Sequence, residues 1–329
     1  MNSFGRLFRV SIFGESHGAG VGVIIDGCPS GMSLKQEDFF EDIERRKPGA
    51  KGTTPRKEDD IPEMISGVFN DRTTGTPITI LFKNNNTRSA DYEKQRDVPR
   101  PGHADFVASK KFGGFEDYRG GGHFSGRLTV ALVAAGVVAK KMLKGIKIES
   151  TILEIGGESD LDKGLQKAIE AKDSVGGIVE CRVNNLPIGL GEPFFDSAES
   201  LISHAIFAIP AVRAIEFGTG FAAAKMFGSK HNDAIENTGG KTTTNHAGGV
   251  VGGLTNGNEL VFRIAVKPTS STPQEQQTLN LKSNKIEPFS VKGRHDLCIA
   301  LRVPVVLEAV TATVLADLML LEHKIPEVL

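Results

Sequence analysis

The 329-residue sequence contains no tryptophan, only two tyrosines and only three cysteines. Cys28, Cys181 and Cys298 lie far apart and no Cys-x-x-Cys pair occurs. We therefore expect neither a disulfide scaffold nor a cysteine-ligated zinc site, and we expect a reducing, cytoplasmic location. No two of the eight histidines lie within six residues of each other, so the helical spacing of a histidine zinc site is absent too, and no metal is expected.

An excess of charge of one sign is also missing. Lys and Arg number 39 and Asp and Glu 40, a net charge of −1, which argues against a nucleic-acid partner. The first residues carry Arg6 and Arg9 without a long apolar core, unlike a signal peptide. The apolar stretch 128–139 is too short for a bilayer, and 303–321 is interrupted by Glu308 and Asp317. We therefore expect buried helices there and no membrane partner.

Glycine, in contrast, is abundant: its 38 residues are about 12% of the chain, against roughly 7% in an average protein. Residues 14–18 fit the G-x-S-x-G motif of serine hydrolases, but the sequence after them is not helical, as that motif requires. Gly240-Lys241-Thr242 resembles the end of a P-loop, yet the first glycine of that motif would fall at Ile235. No G-x-G-x-x-G occurs, so the dinucleotide fingerprint is absent as well.

Hydrophobic periodicity and turn residues predict the secondary structure. Strands are expected at 7–13, 21–26, 78–82, 146–155, 175–183, 212–217 and 259–266. Helices are expected at about 34–46, 128–143, 160–172, 197–207 and 304–323, the first preceded by a capping-box pattern from Ser33 to Gln36. Because the strands form hairpin-like pairs and do not alternate strictly with helices, we predict an α+β fold. No break in composition marks a linker, so we predict one domain over 1–329.

A weak internal similarity relates residues 17–27 to residues 246–257. Both segments read histidine, glycines, an apolar run and an Asx-Gly pair. We therefore hypothesise an internal duplication, which requires residues 11–30 and 240–260 to follow the same backbone path.

Three histidines share a setting. His17 in GESHGAG, His103 in RPGHAD and His295 in KGRHD all lie in polar or glycine-containing loops. One such histidine is usually a solvated loop residue, but three of them favour a functional site. Glycine allows a ligand to approach the backbone, histidine exchanges protons near neutral pH, and arginine binds carboxylate and phosphate. The combination predicts a polyanionic small substrate that undergoes proton transfer.

Several cations could line such a site. Any one arginine in a loop or at a helix end is ordinarily a solvated charge, but together they could form a basic pocket in a neutral protein; they are Arg45, Arg46, Arg100, Arg119, Arg127 and Arg294. Residues 267–272, KPTSST, offer a cation and four hydroxyls directly after a strand, which suits phosphate binding. The polar loops 47–62 and 84–102 are expected to close over the substrate.

In chain order, these segments resemble the chorismate synthase family. The matching pieces span nearly the whole chain: FRVSIFGESHG, RRKPG, TTGTPI, RPGHAD, YRGGG-x-x-S-x-R, LGEPFFD, AIEFGTGF, NHAGG, KPTSS and KGRHD. The resemblance implies a sandwich with helices between antiparallel sheets, assembled as a homotetramer. It also implies a lyase of the shikimate pathway, which serves aromatic amino acid biosynthesis. This enzyme converts 5-enolpyruvylshikimate 3-phosphate into chorismate by 1,4-anti-elimination of phosphate, with reduced FMN and no net redox change.

The resemblance also implies roles for particular residues. His17 would be the acid near the leaving phosphate, His103 would protonate or hydrogen-bond the flavin near N1, and Asp296 would relay the proton between flavin N5 and substrate C6. Ser16 and Ser125 would support these groups by hydrogen bonds. The residues expected to hold FMN are His123, Phe124, Ser125, Pro210, Ala211, Gly252, Lys267, Pro268, Thr269, Ser270, Ser271 and Arg294. Those expected to face the substrate anions are Arg45, Arg46, Arg100 and Arg127. Arg46 and Lys51 match positions associated with NADP.

The sequence departs from the common family pattern in three places, one of which is a stretch between Lys144 and Asp173 that is shorter than in many members. Two alternatives remain. Residues 123–127 read His-Phe-Ser-Gly-Arg where the family commonly has Arg-Ser-Ser-Ala-Arg, and Leu297 replaces a proline after Asp296. One alternative is a bifunctional form that also oxidises NADPH to reduce its own flavin. The other is a non-catalytic flavin- or anion-binding relative, against which the presence of His17, His103 and Asp296 argues.

Overall fold

A computed structural model describes residues 2–54, 58–86, 96–291 and 295–329, and within them two antiparallel sheets form the outer layers. The first sheet has the strand order β1-β2-β3-β7-β4 and the second the order β10-β13-β9-β8. Strands of the first sheet are β1 Ser3–Phe4, β2 Arg9–Gly14, β3 Gly20–Asp26, β4 Glu63–Ser66 and β7 Ile78–Lys83. Strands of the second are β8 Lys147–Ile155, β9 Gly177–Asn184, β10 Val212–Phe217 and β13 Leu260–Val266. The remaining strands pair as hairpins: β5 Val68–Phe69 with β6 Arg72–Thr73, β11 Val250–Val251 with β12 Leu254–Thr255, and β14 Gln276–Asn280 with β15 Lys285–Phe289.

The two longest described helices lie between the sheets. The α-helices are α1 Phe40–Arg46, α2 Asp105–Phe112, α3 Thr129–Met142, α4 Leu161–Ala171, α5 Ala198–Ile206, α6 Gly228–His231 and α7 Val303–Leu321. Helix α3 packs on the first sheet, α7 packs on β8 and β9 of the second, and the two helices pack on each other. The predicted α+β sandwich with helices between antiparallel sheets is therefore confirmed.

Alternation along the strands and a predominantly apolar sequence along the helices explain this layering. In β3, Val21, Val23 and Ile25 are fully buried, because successive side chains of a strand point to opposite faces and these three share one face. The segment Ile299–Leu321 is long and apolar enough to cross a membrane by length and composition, with a mean hydropathy of 1.9. In the fold, 83% of the most apolar part of this segment is buried inside the chain, so the segment forms the core helix that the sequence predicts.

Two details of the sequence interpretation are wrong. The first helix begins with a 3-10 turn, Gln36–Phe39, and the backbone N–H of Lys35 donates to Asp38 Oδ2 at 2.7 Å. Asp38 therefore performs the capping that Ser33 and Gln36 were expected to provide. The segments compared for duplication also differ in path: β3 is one continuous seven-residue strand, whereas the matching residues 250–255 fold back in the β11–β12 hairpin. The local similarity therefore gives the duplication no support.

The two acidic residues that interrupt the apolar sequence of α7, Glu308 and Asp317, both have hydrogen-bond partners in the fold. Asp317 accepts hydrogen bonds from the backbone N–H groups of Arg6, Leu7 and Phe8 at 2.7 to 3.0 Å. Glu308, 3% exposed, accepts two hydrogen bonds from Arg45 and one from Lys140. Such buried carboxylates are tolerated because cations and N–H groups replace the lost water.

The close approach of α3 and α7 depends on a glycine. A Cβ atom added to Gly136 would lie 2.2 Å from the Cβ of Ala309. We expect Gly136→Ala to lower the free energy of unfolding by about 1–3 kcal/mol through overpacking, despite the better helix propensity of alanine. Denaturant unfolding measures the change. The matched control is Gly228→Ala, where an added Cβ meets nothing within 4 Å, so a loss of equal size there would contradict the packing argument.

Candidate active site

Loops from both sheets meet around a cavity of about 660 Å³ beside the helix layer. The loop after β2 contributes His17, the loop after β13 contributes Lys267, and the turn before α7 contributes Asp296. The predicted site residues that line the cavity are His17, Arg46, Arg100, His103, His123, Phe124, Ser125, Arg127, Pro210, Ala211, Lys267, Thr269, Ser270, Ser271 and Asp296. Residues that lie more than 250 positions apart in the sequence thus line the same cavity.

Other predicted site residues lie elsewhere. Arg45 does not face the cavity, because its guanidinium is held by Glu308 and Asp42 in the helix layer. Lys51 donates to Gln166 Oε1 at 3.0 Å on the surface, Gly252 lies in the β11–β12 turn, and Pro268 is not part of the lining. Ser16 is fully buried directly behind Gly120. Arg294 lies outside the described residues, as do parts of the two polar loops, 55–57 and 87–95.

Three consecutive glycines lie against the imidazoles of His17 and His103. Gly120, Gly121 and Gly122 have φ angles of 60°, 80° and 53°, which side chains rarely adopt. A Cβ atom on Gly120 would lie 2.4 Å from Cδ2 of His17, and one on Gly121 would lie 3.3 Å from Cε1 of His103. The glycine run therefore allows both imidazoles to pack against the same stretch of backbone.

His103 is oriented by an acidic and a basic neighbour. Its Nδ1 lies 2.6 Å from Asp105 Oδ1 and 3.0 Å from Nη2 of Arg100. Asp105 also accepts hydrogen bonds from Arg100, and the hydrogen bonds from Arg100 and His103 hold the pKa of its carboxyl well below the usual range in spite of its burial. An ionised Asp105 accepts the Nδ1 proton, which leaves Nε2 as the ring nitrogen available to a ligand.

Asp296 is held from two directions. Its Oδ1 accepts from the backbone N–H of Thr54 at 2.9 Å, and its Oδ2 accepts from Nη1 of Arg302 at 3.1 Å. Arg302 also donates to the backbone oxygen of Arg46 at 3.0 Å and lines the cavity. The carboxylate is therefore fixed in position. Arg302 was not predicted as a site residue, because it stands at the start of an apolar helix rather than in a glycine loop.

A single carboxylate serves two buried arginines. Asp60 pairs with Arg46 at 3.3 Å and forms a second, shorter contact with Arg127. All three side chains are 5% exposed or less. Burial and the nearby guanidinium of Arg302 lower the pKa of Arg46. This wall of the cavity therefore carries two guanidiniums for one carboxylate, a charge balance that favours an anionic ligand.

His123, one of the departures from the family pattern, binds the backbone. Its Nδ1 lies 2.8 Å from the carbonyl oxygen of Gly14, at the end of β2. The neighbouring Phe124 packs against Phe112 of α2, with ring centroids 6.3 Å apart. The imidazole thus ties the glycine run to the loop that carries His17, while its contact with a cofactor stays a prediction.

His295 lines the same cavity and makes the stability of the fold sensitive to acid. Burial, together with the positive charges of Arg100 and His103, lowers the pKa of His295 to about 4 from the usual 6.5. Between those pH values the unfolded chain binds more protons than the folded chain, so stability falls as the pH falls. We expect the slope to approach about 1.4 kcal/mol per pH unit at most. Thermal unfolding of the native chain and of His295→Asn between pH 7 and 4.5 measures it, and equal slopes in the two proteins would refute the assignment.

Comparison with known proteins shows the family of the chain. A family model described as chorismate synthase matches residues 8–320. A curated chorismate synthase from Chitinophaga pinensis is 73% identical over 325 residues, covering 98% of each chain, and one from Dehalococcoides mccartyi is 45% identical over 360 residues, covering 100% of this chain and 99% of the relative. A solved crystal structure of a chorismate synthase aligns with a TM-score of 0.73 and 26% identity over 97% of this chain and 93% of the other. The chain therefore belongs to the chorismate synthase family of carbon–oxygen lyases.

Proposed function

We propose that this chain converts 5-enolpyruvylshikimate 3-phosphate into chorismate by 1,4-anti-elimination of phosphate, with reduced FMN required but not consumed. One observation carries the proposal: His17, His103 and Asp296, far apart in sequence, line a single cavity whose wall also contains Arg46, Arg100 and Arg127. Proton-transferring groups and anion-binding groups are what this elimination requires.

The arginines suit the charge of the proposed substrate, which carries two carboxylates and a phosphate. Arg46 and Arg127 share Asp60, so the pair keeps an excess positive charge for a bound anion. Arg100 is held by Asp105 and Ser271, with its Nη1 3.1 Å from Ser271 Oγ. Because these guanidiniums are fixed before the substrate binds, little side-chain entropy would be lost on binding.

The residues around Lys267 fit a flavin mononucleotide. Thr269 Oγ1 is buried and has no hydrogen-bond partner among the described residues, and such an orphaned group is satisfied by a ligand that donates or accepts there. Lys267 Nζ lies 2.7 Å from Ser270 Oγ, so a cation and hydroxyls stand together where a phosphate would bind. Phe124, Pro210 and Ala211 add apolar surface to the lining. When bound, reduced FMN supplies an electron-rich ring beside the substrate.

The chain's own residues would then manage the protons. His17, 7% exposed, would donate a proton to the departing phosphate. Asp296, fixed by Thr54 and Arg302, would take the proton that leaves ring carbon C6. His103 would present Nε2 to the flavin, because Asp105 binds Nδ1. Ser16 and Ser125 would support these groups, and Thr54 and Asn86, which line the cavity, would limit access of water.

The test is an anaerobic assay with chemically reduced FMN and 5-enolpyruvylshikimate 3-phosphate. We expect chorismate absorbance and phosphate to appear in equal amounts, and neither to appear with oxidised FMN. Flavin binding without any product would contradict the lyase and favour a ligand-binding relative. Aerobic turnover on NADPH without a partner protein would identify the bifunctional form, in which Arg46 and Lys51 are the candidate NADP contacts.

The family resemblance also supports assembly as a homotetramer, in the cytoplasm. Five phenylalanine side chains among the described residues are at least 80% exposed, and exposed aromatic surface of this kind is typical of an interface; they are Phe115, Phe194, Phe195, Phe221 and Phe227. Sedimentation analysis of the purified chain measures the assembly, and a monomer at micromolar concentration would contradict it.

A further inference from the structure

Asn84, the first residue after β7, lies between the turn of residues 15–18 and the guanidinium of Arg127. Its side-chain nitrogen donates to the carbonyl oxygens of Glu15 and Gly18, both at 2.9 Å. Its side-chain oxygen accepts from Nε of Arg127 at 3.0 Å. Only one orientation of the amide satisfies two carbonyl acceptors and one guanidinium donor, so the partners fix the side chain completely.

The two carbonyls are the ends of the turn that carries Ser16 and His17. The N–H of Gly18 donates to the oxygen of Glu15 at 3.1 Å, and the N–H of Ser16 donates to the oxygen of Gly122 at 3.1 Å. Asn84 therefore closes the open side of a four-residue turn. The side-chain amide of Asn84 also contacts the guanidinium of Arg127, which Asp60 binds through a different nitrogen.

We propose that Asn84 is a positioning residue, which holds the turn bearing His17 in fixed register with the guanidinium of Arg127. The inference rests on the function proposed above, in which His17 donates a proton and Arg127 binds a substrate anion. An acid and an anion-binding group that serve one substrate must keep a constant separation, and displacement by about 1 Å can lower a rate by roughly 10²-fold. Asn84 itself contacts neither reacting atoms nor, in this assignment, the substrate.

Asparagine is the side chain that this place requires. Aspartate has the same shape and keeps an acceptor for Arg127, but it has no donor and sets a negative charge against two carbonyl oxygens. Alanine removes all three hydrogen bonds. Both variants lose the hydrogen bonds to the turn, but only Asn84→Ala loses the contact with Arg127. Comparing them therefore separates the two effects. Asn85→Ala is the matched control, since that side chain is exposed and donates only to Asp59 at 3.2 Å among the described contacts.

The experiment measures amide hydrogen exchange of residues 14–20, thermal unfolding, kcat and KM for the native chain and the three variants. We expect exchange in that peptide to accelerate about tenfold or more in Asn84→Ala and Asn84→Asp, with global unfolding little changed. In the reduced-FMN assay we expect kcat to fall roughly 10²-fold in both. KM is expected to rise more in Asn84→Asp, because its carboxylate competes with the substrate for Arg127.

The possible failures are distinguishable. A native chain that turns over, with Asn84→Ala equal to Asn85→Ala in exchange and kcat, would overturn the assignment of Asn84. Loss of activity in proportion to a lowered unfolding temperature, without the difference in KM between the two variants, would reduce Asn84 to a structural residue and overturn it as well. A native chain with no turnover but with the expected exchange differences would contradict the proposed function and leave the restraint of the turn supported.

Discussion

His17→Ala is expected to lower kcat in the reduced-FMN assay by about 10²–10⁴-fold, the usual contribution of a general acid. The imidazole is nearly buried in the cavity wall, and Gly120 packs against it so closely that no side chain could intervene. Removing the imidazole would leave the departing phosphate without its proton donor. KM is expected to change less than kcat, because the arginines that would bind the substrate anions remain in place.

The control is His231→Ala, which removes a histidine stacked on His246 at 5.6 Å, outside the cavity lining. Turnover of that variant should stay within about twofold of the native value, since surface changes away from a site have small effects. Near-normal turnover of His17→Ala would show that another group protonates the phosphate, and the role proposed for His17 would then be wrong.

Asp60→Asn is expected to lower the free energy of unfolding by about 3–5 kcal/mol, the usual cost of leaving a buried charge without its partner. The carboxylate lies between Arg46 and Arg127, and all three side chains are almost completely buried. Asparagine fits the space and tolerates the φ of 52° at this position, so the effect would arise from charge rather than shape. Urea unfolding of the two proteins measures the difference.

Inorganic phosphate should recover part of that loss, because an anion in the cavity can pair with the two guanidiniums and binding to the folded state stabilises it. Glu149→Gln is the matched control, since its partner Lys147 is 63% exposed and such pairs contribute about 0–1 kcal/mol. Equal small losses in Asp60→Asn and Glu149→Gln would show that Asp60 does not neutralise the arginines.

The elements with strong periodicity were predictable and those with exposed polar faces were not. Strand β3 and helix α7 bury long apolar runs, and their predicted bounds differ from the observed ones by one or two residues. Helix α2, Asp105–Phe112, and the β14–β15 hairpin were missed. The first buries only Ala108 and the second has no buried residue on either strand, so neither has a pattern that distinguishes it from a loop.

The site was predictable to the extent that its residues stand in distinctive loops. His17, His103 and Asp296 occur in such loops, whereas Arg302, Asp60 and Asn84 have meaning only through partners far away in the chain. Arg45 shows the same limit in reverse. It stands next to Arg46 in sequence, but the helical turn between them points its side chain towards Glu308, 263 residues further along. No local pattern reports a contact of that separation.

The position of α7 has a consequence for the order of folding. This helix is synthesised after the strands of both sheets, yet it covers the inner face of the second sheet, packs against α3 and binds the amides of Arg6, Leu7 and Phe8 through Asp317. Until this helix emerges from the ribosome, the apolar surfaces of the second sheet and of α3 that it covers remain exposed to solvent and to other chains. The hydrogen bonds of Asp317 join residues 309 to 311 positions apart, and pairings so distant in sequence are expected to form late and to slow folding. Chaperones that shield the nascent chain should therefore matter more for its yield than its modest size suggests.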